Sequence, residues 1–131
     1  MLTVEKIGGT SMVKFEEVIN NIIKDPTSND FSYNRVFVVS AYAKVTDLLL
    51  EDKKNLKPGI YKSFINNDQV YKQKLDNLLD HLIEINNSFE YLGLNLDEAN
   101  QFIKKRIKHT KKYLDSMEEI LSSGYIKEEN I

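Results

Sequence analysis

Apolar residues in the first part of the chain follow two different periods. Thr3–Ile7 is a short, mostly β-branched run that predicts a strand, and Arg35–Val39 carries a continuous apolar run that predicts a second strand. Between them, apolar residues recur at helical spacing from Met12, and Pro26 with the polar residues after it ends the pattern. Strand, helix and strand predict one βαβ unit, whose two parallel strands lie side by side and end on the same edge.

Apolar residues in the second part of the chain predict two long helices. The first has a heptad-like stripe that stops at Gly93: Tyr71, Leu75, Leu78, Leu82, Ile85, Phe89 and Leu92. The second begins at a capping box formed by Asn95 and Glu98 and ends at Ser122-Ser123-Gly124. Its predicted apolar face consists of Ala99, Phe102, Ile103, Ile107, Tyr113, Leu114, Met117, Ile120 and Leu121. The short connection between the helices predicts an antiparallel helical hairpin.

Composition narrows the classes of function. The chain has 131 residues, 41% of them hydrophobic, and a formal net charge of −2, which gives no electrostatic reason to expect a nucleic-acid or membrane partner. The absence of cysteine excludes disulfides, thiolate metal sites and cysteine nucleophiles. His81 and His109 lie in helical patterns without ligand-like neighbours, so no metal site is expected. Without a signal peptide or a bilayer-length apolar run, the expected location is the cytoplasm.

Basic residues cluster on the second long helix: Lys104, Lys105, Arg106, Lys108, Lys111 and Lys112. They could form a patch for nucleic acid or for ATP phosphates, or a solvated face that pairs with acids such as Asp80 and Glu84. The near-neutral chain and the interleaved apolar residues favour the solvated face.

The turn after the first predicted strand has the groups that bind phosphate. Gly8 and Gly9 permit backbone angles that other residues avoid, and a turn leading into a helix can direct N–H groups at an anion. Lys6 adds a positive charge, and Thr10 and Ser11 add hydroxyl donors, although Ser11 is also a candidate N-cap. The spacing matches neither the P-loop, in which the lysine follows the glycines, nor the dinucleotide fingerprint.

Two segments resemble the aspartokinases, a branch of the amino acid kinase family. The first is Lys6-Ile7-Gly8-Gly9-Thr10-Ser11; the second runs from Ser40-Ala41 through Val45-Thr46 into the leucines that follow. The resemblance implies that Ser40 lies near the reacting groups and that Thr46 binds the amino acid substrate. Ala43-Lys44 stands where the family usually has one or two glycines. Apart from the resemblance, Thr46 is a candidate cap for a helix over 47–50.

The activity that the resemblance implies is phosphoryl transfer from MgATP to the side-chain carboxylate of L-aspartate. The product, 4-phospho-L-aspartate, opens the biosynthesis of lysine, threonine and methionine. Lys6 would act in catalysis, Gly8 to Ser11 would hold the ATP phosphates, and no tightly bound cofactor is expected. Two alternatives are another amino acid kinase, acting on glutamate, acetylglutamate or a nucleoside monophosphate, and a non-catalytic helical interaction module.

The implied fold is α/β, the N-terminal βαβ portion of a three-layer sandwich with a long antiparallel helical hairpin. Residues 1–59 would be the phosphate- and substrate-binding portion of a truncated kinase domain, and residues 60–131 a hairpin insertion with the start of a further helix. Because the family's adenine site and regulatory domains follow later, we expect this chain alone to be inactive. Exposed apolar residues at 36–39 and identical sheet edges predict a homo-oligomer, formed edge to edge or through the stripe from Tyr71 to Leu92.

Overall fold

A computed structural model describes residues 2–24 and 34–124. The chain groups into two compact units, Met1–Thr46 and Asp47–Ile131. In the described residues, no helix is both long enough and apolar enough to cross a lipid bilayer.

The first unit contains the two predicted strands. β1, Thr3–Ile7, and β2, Arg35–Val39, pair in parallel, with Thr3 opposite Arg35 and Ile7 opposite Val39. Both strands and their parallel orientation are therefore confirmed, and the chain is α/β. Three-layer packing stays a prediction, since these two strands are the whole sheet in the described part of the chain.

The helical segment after β1 begins earlier and is more broken than the sequence predicts. It consists of α1, Gly9–Val13, then α2, Phe15–Val18, and then a π-helical turn, Ile19–Ile23. The predicted start at Met12 is wrong, because the Met12 N–H donates to the Gly8 carbonyl at 3.0 Å and the helix begins at Gly9. The Lys14 N–H then bonds back only three residues, to Ser11, which ends α1. The predicted end at Pro26 lies outside the described residues.

One face of the sheet carries the core of the first unit. Ile7, Met12 and Val18 are buried, and partly buried side chains pack around them: Phe15, Ile23, Phe37 and Tyr42. Side chains alternate along a strand, so the opposite face holds Val4 and Lys6 from β1 and Val36 and Val38 from β2, all exposed. The expected exposure of apolar residues in β2 is thus confirmed for Val36 and Val38, and also for Val39.

The second unit is helical. Its first helix, α3, Val45–Leu49, starts two residues before the boundary of the unit. The elements that follow are α4, Ile60–Ile65, α5, Val70–Asn87, a 3₁₀ turn, Glu90–Leu92, and α6, Leu96–Ser122. Because α3 begins at Val45, Thr46 lies inside its first turn, and the alternative role of Thr46 as a helix cap is wrong. The boundary expected at residues 59 and 60 is a functional division and stays a prediction.

The hairpin of α5 and α6 is confirmed. Lys72 near the start of α5 pairs with Asp115 near the end of α6 at 3.2 Å, and Asn86 at the end of α5 donates to Asn100 near the start of α6 at 3.0 Å. The helices are therefore antiparallel.

The prediction that Gly93 stops the first long helix is wrong, because α5 already ends at Asn87, where the Phe89 N–H bonds back only three residues, to the Asn86 carbonyl at 2.9 Å. Gly93 instead ends the 3₁₀ turn that follows, at a φ of 88°, an angle at which glycine is favoured.

The structure confirms the predicted cap of α6 and corrects the predicted ion-pair partner of its basic residues. The Asn95 side chain accepts a hydrogen bond from the Glu98 N–H at 3.2 Å, so the predicted cap is confirmed. The ion pair from the basic helix joins Lys111 to Asp76, one turn before the Asp80 that the sequence suggested.

The predicted apolar face of α6 is only partly buried. Ile107 is buried, whereas Phe102, Tyr113 and Ile120, which the sequence pattern places on the same face, are exposed. At about 100° per residue these three positions fall within roughly 20° of one line of the helix, about 120–140° away from the buried Ile107. The pattern therefore contains two stripes rather than one broad face.

Candidate functional site

The carboxyl ends of the two strands bring the two predicted loops into contact. The Ser40 N–H, directly after β2, donates to the Ile7 carbonyl at 3.0 Å, and the Ala43 N–H donates to the Gly9 carbonyl at 3.1 Å. These bonds join the glycine turn to the loop of residues 40–44. Parallel strands make this contact because their carboxyl ends open on one edge.

The two glycines of the turn differ in what they contribute. A Cβ on Gly9 would lie 2.7 Å from the Ala41 carbonyl oxygen, so a side chain there would force the backbones apart. A Cβ on Gly8 would meet nothing within 4 Å. Neither glycine has a positive φ, so the predicted reason for them, unusual backbone angles, is wrong. Gly9 permits a close approach of two loops, and Gly8 leaves an open surface beside them.

Hydrogen-bond donors surround this open surface. The N–H groups of Gly9, Thr10 and Ser11 precede the first intrahelical bond of α1, which starts from Met12. The side chains of Thr10 and Ser11 are exposed, and Ser11 is not the N-cap, since Gly8 has that position. Because α1 has only five residues, its dipole adds little, and the individual N–H and hydroxyl groups are the main donors for an anion.

Lys6 lies on the sheet face that carries no helix. It is exposed, faces away from the buried Ile7, and pairs in register with Val38. Its flexible stem lets the ammonium group extend over the exposed face or towards the strand ends. Within residues 2–24 and 34–124, Lys6 takes part in no ion pair, so its charge is available to a ligand.

The loop after β2 holds the two predicted substrate residues. Ser40 is exposed at the strand end, and Thr46 is exposed in the first turn of α3. Between them, Lys44 has a φ of 70°, at a position where the sequence motif usually has glycine. The lysine therefore adopts the left-handed angle itself, at a cost of order 1–2 kcal/mol for a residue with a Cβ. The loop keeps its sharp turn, and the Val45 N–H bonds to the Tyr42 carbonyl at 3.2 Å.

Sequence reasoning missed an ion pair that ties the two strands together. Arg35 donates from Nε to Glu5 Oε1 at 2.6 Å and from Nη2 to Glu5 Oε2, and its guanidinium lies 4.8 Å from the centre of the Phe37 ring. The hydrogen bonds from Arg35 lower the pKa of Glu5. Thr3 lies opposite Arg35, so Glu5 and Arg35 are diagonal neighbours, and the available signal was a pair of opposite charges two positions apart across two predicted strands. The loop residue Tyr42 was also missed as a packing residue, and burial raises the pKa of its hydroxyl.

Comparison with known proteins shows which proteins this chain resembles in sequence. Over 127 residues, 95% of its length, it is 38% identical to the aspartate kinase Ask_Ect of Stutzerimonas stutzeri (strain A1501). This chain is a relative of the aspartate kinases. The resemblance inferred from the two loop motifs is thereby confirmed, and the chain spans 27% of that relative's length. No protein-family model matches the chain. No solved structure matches it either.

The relationship to the aspartate kinases extends through both units, because a match over 95% of the chain includes most of the sheet unit and most of the helical unit. The sequence similarity therefore covers most of the α5–α6 segment as well as most of the sheet unit. In the described parts of the chain, no three His, Asp or Glu side chains are grouped as metal ligands would be.

Proposed function

We propose that this chain is the N-terminal part of the kinase domain of an aspartate kinase. The complete enzyme would transfer the γ-phosphoryl group of MgATP to the side-chain carboxylate of L-aspartate and form 4-phospho-L-aspartate, the entry to lysine, threonine and methionine biosynthesis. The match to an aspartate kinase over 95% of the chain carries this proposal. The joined loops at one sheet edge support it, since open α/β sheets bind ligands at such an edge.

The glycine turn would hold the ATP phosphates. Its N–H donors at Gly9, Thr10 and Ser11 and the two hydroxyl groups suit phosphate oxygens, and the open space at Gly8 admits them to the backbone. Phosphoryl transfer depends mainly on positioning and on stabilising charge at the transferred group. Lys6, one residue before the end of β1, would supply that positive charge.

The second loop would hold L-aspartate. Ser40 would lie beside the reacting groups, and the Thr46 hydroxyl would bind the amino acid. The substrate carboxylate is itself the nucleophile, so the reaction needs no serine–histidine or cysteine–histidine pair. The hydrogen bond from Ser40 to the Ile7 carbonyl supports this arrangement, because it brings the loop for the acceptor against the turn for the donor.

Magnesium would enter as part of the MgATP substrate. The adenine site would lie in the part of the enzyme that this chain does not cover. We therefore propose that the chain alone is inactive, and that its exposed sheet face at Val4, Val36 and Val38 is covered by further layers of the kinase fold.

A chimera tests this function. The chain would replace the matching segment of the Stutzerimonas relative, and ADP formation would be measured with aspartate, glutamate, acetylglutamate or a nucleoside monophosphate as acceptor. We expect ADP formation that depends on aspartate, as in the unaltered relative, and none from the chain alone. A folded chimera that uses a different acceptor, or none, would contradict the proposal.

A further inference from the structure

The outer side of α6 carries a stripe of large exposed side chains that the hairpin does not use. Phe102, Tyr113 and Ile120 are 56%, 65% and 45% exposed. His109 joins the stripe through its ring, 6.4 Å from the ring of Tyr113, and the Arg106 guanidinium lies 5.1 Å from the centre of the Phe102 ring. At about 100° per residue, all five positions fall within roughly 40° of one line along the helix. We call them the outer stripe.

The outer stripe is distinct from the side of α6 that packs on α5. That side contains the buried Ile107 and the polar contacts of Asn100 with Asn86 and of Lys111 with Asp76. Lys111 points almost directly away from the outer stripe, since nine residues complete two and a half turns of an α-helix. The stripe is therefore available to a partner while the hairpin stays intact.

Four of the five positions in the outer stripe are symmetric about Lys111. Phe102 and Ile120 lie nine residues to either side of it, and His109 and Tyr113 lie two residues to either side. A two-fold axis across the helix at this level places Phe102 of one copy level with Ile120 of a second, antiparallel copy, and His109 level with Tyr113. Such a pairing is isologous and closes on itself.

Charge along α6 also fits an antiparallel second copy. The first part of the helix carries most of its basic residues: Lys104, Lys105, Arg106, Lys108 and Lys112. The last part carries three acidic residues, of which Asp115 and Glu118 pair with Lys72 of α5 and Glu119 is exposed. In the antiparallel pair, Lys105 of one copy comes about two residues, roughly 3 Å along the axis, from the level of Glu119 of the other, on the same side of the interface, and this occurs twice. A parallel pair would set the basic parts against each other.

We propose that α6 is a dimerisation helix, and that its outer stripe packs antiparallel on the outer stripe of a second copy of this chain. The proposal is independent of the kinase activity. It also replaces one of the expected routes to a homo-oligomer, because the stripe that begins at Tyr71 and Leu75 is buried inside its own chain. The exposed Glu119, next to Ile120 at one end of the stripe, favours a second copy over an anionic membrane or a nucleic acid, both of which would repel its charge.

Sedimentation equilibrium over the micromolar range tests the surface. We expect the unaltered chain to dimerise. Tyr113→Ser should raise the dimer Kd roughly tenfold or more, because in a two-fold symmetric dimer the substitution removes a ring from each copy. The matched control is Tyr91→Ser in the 3₁₀ turn, a tyrosine that is 66% exposed but lies outside α6. This variant should change Kd by less than about twofold, and the far-ultraviolet circular dichroism of both variants should match that of the unaltered chain.

Disulfide cross-linking tests whether the two α6 helices pair antiparallel. The chain has no cysteine of its own that would form other disulfides. Arg106 and Ser116 lie five residues to either side of Lys111, so Arg106→Cys in one copy comes level with Ser116→Cys in the other. With helix axes about 8–10 Å apart, this pair is within disulfide reach, whereas two copies of either position lie roughly 15 Å apart along the helix. Oxidation of the mixture should therefore give the mixed disulfide dimer in preference to either dimer of like chains.

Four results would overturn the proposal. They are a monomer at every concentration, a dimer that Tyr113→Ser leaves unchanged, a preference for disulfides between like chains, and a monomer that sediments with anionic vesicles or with nucleic acid. The last result would assign the outer stripe to a different partner.

Discussion

Gly9 and Ala41 lie so close that a Cβ atom on Gly9 would stand 2.7 Å from the Ala41 carbonyl oxygen. The glycine belongs to the turn after β1, and the alanine belongs to the loop after β2. Two segments that are thirty-two residues apart in sequence thus share one surface at the sheet edge. The contact explains why a glycine is needed at position 9 although its backbone angles are ordinary.

Replacing Gly9 should therefore destabilise the first unit. We expect Gly9→Ala to cost about 1–3 kcal/mol, because the obstacle is a backbone carbonyl that cannot rotate away. Amide hydrogen exchange at Ser40 and Ala43, whose N–H groups bond across the two loops, measures the loss. The control is Gly8→Ser, whose side chain enters open space at an N-cap position that favours serine. Equal protection in the two variants would contradict the steric role of Gly9.

Lys6 should affect the rate of phosphoryl transfer more than the binding of ATP. In the active chimera, we expect Lys6→Ala to lower kcat far more than it raises the KM for ATP, because charge develops on the transferred oxygens mainly in the transition state. The control is Lys14→Ala, which removes a lysine whose ammonium pairs with Glu17 at 3.3 Å. A kcat for Lys6→Ala within threefold of the unaltered chimera, about 0.7 kcal/mol, would remove Lys6 from catalysis.

Substitutions of two exposed threonines should affect the KM values of the two substrates differently. We expect Thr46→Val in the chimera to raise the KM for aspartate and to leave the KM for ATP nearly unchanged, since valine keeps the branched shape and loses the hydroxyl. Thr10→Val should have the reverse effect. Both residues lie in the first turn of a short helix, so the variants are matched for local structure. Steady-state kinetics with each substrate varied in turn would detect the crossed pattern, and parallel effects would contradict the division of roles.

The Glu5–Arg35 pair should make the first unit sensitive to acid. Arg35 lowers the pKa of Glu5 in the folded chain, so the pair contributes stability above the unfolded pKa of about 4.3. This contribution is lost as the pH falls through the lower folded pKa. We expect Glu5→Gln to destabilise the unit at neutral pH, and the difference from the unaltered chain to shrink below about pH 4. Urea unfolding at several pH values, followed by exchange at Val38, measures it.

A matched carboxylate serves as the control for the acid effect. Glu17→Gln removes an acid whose side chain is 64% exposed and pairs with Lys14 only across the helix surface. Its effect on stability should be small at every pH, since exposed pairs of this kind contribute little. A difference for Glu5→Gln that stays constant from neutral to acid pH would show that the ion pair is not its source.

The cap of α6 should contribute measurably to the stability of the hairpin. Asn95→Ala removes the oxygen that accepts the Glu98 N–H, and we expect a loss of about 0.5–2 kcal/mol. Asn95→Ser keeps a capping oxygen and should lose much less. Thermal or urea unfolding followed by circular dichroism compares them, because α5 and α6 supply most of the helical signal. Equal losses in the two variants would mean that the hydrogen bond contributes nothing.

The sequence by itself determined the elements whose signals are local. The β-branched run at Thr3–Ile7, the apolar run in Arg35–Val39 and the cap at Asn95 all depend on backbone preferences of nearby residues, and all are confirmed. The two loop motifs likewise identified a relative of the aspartate kinases, because they are short continuous segments. The roles of their residues in binding and catalysis remain our proposals.

Tertiary structure alone decided what depends on residues far apart in the chain. Gly9 is needed because Ala41 comes close to it, and Glu5 forms its ion pair with Arg35, thirty residues later in the chain. In α6 the apolar pattern was visible, but only packing showed that α5 covers one of its two stripes. A periodic pattern records which positions are apolar, whereas burial depends on which neighbour the fold brings against them.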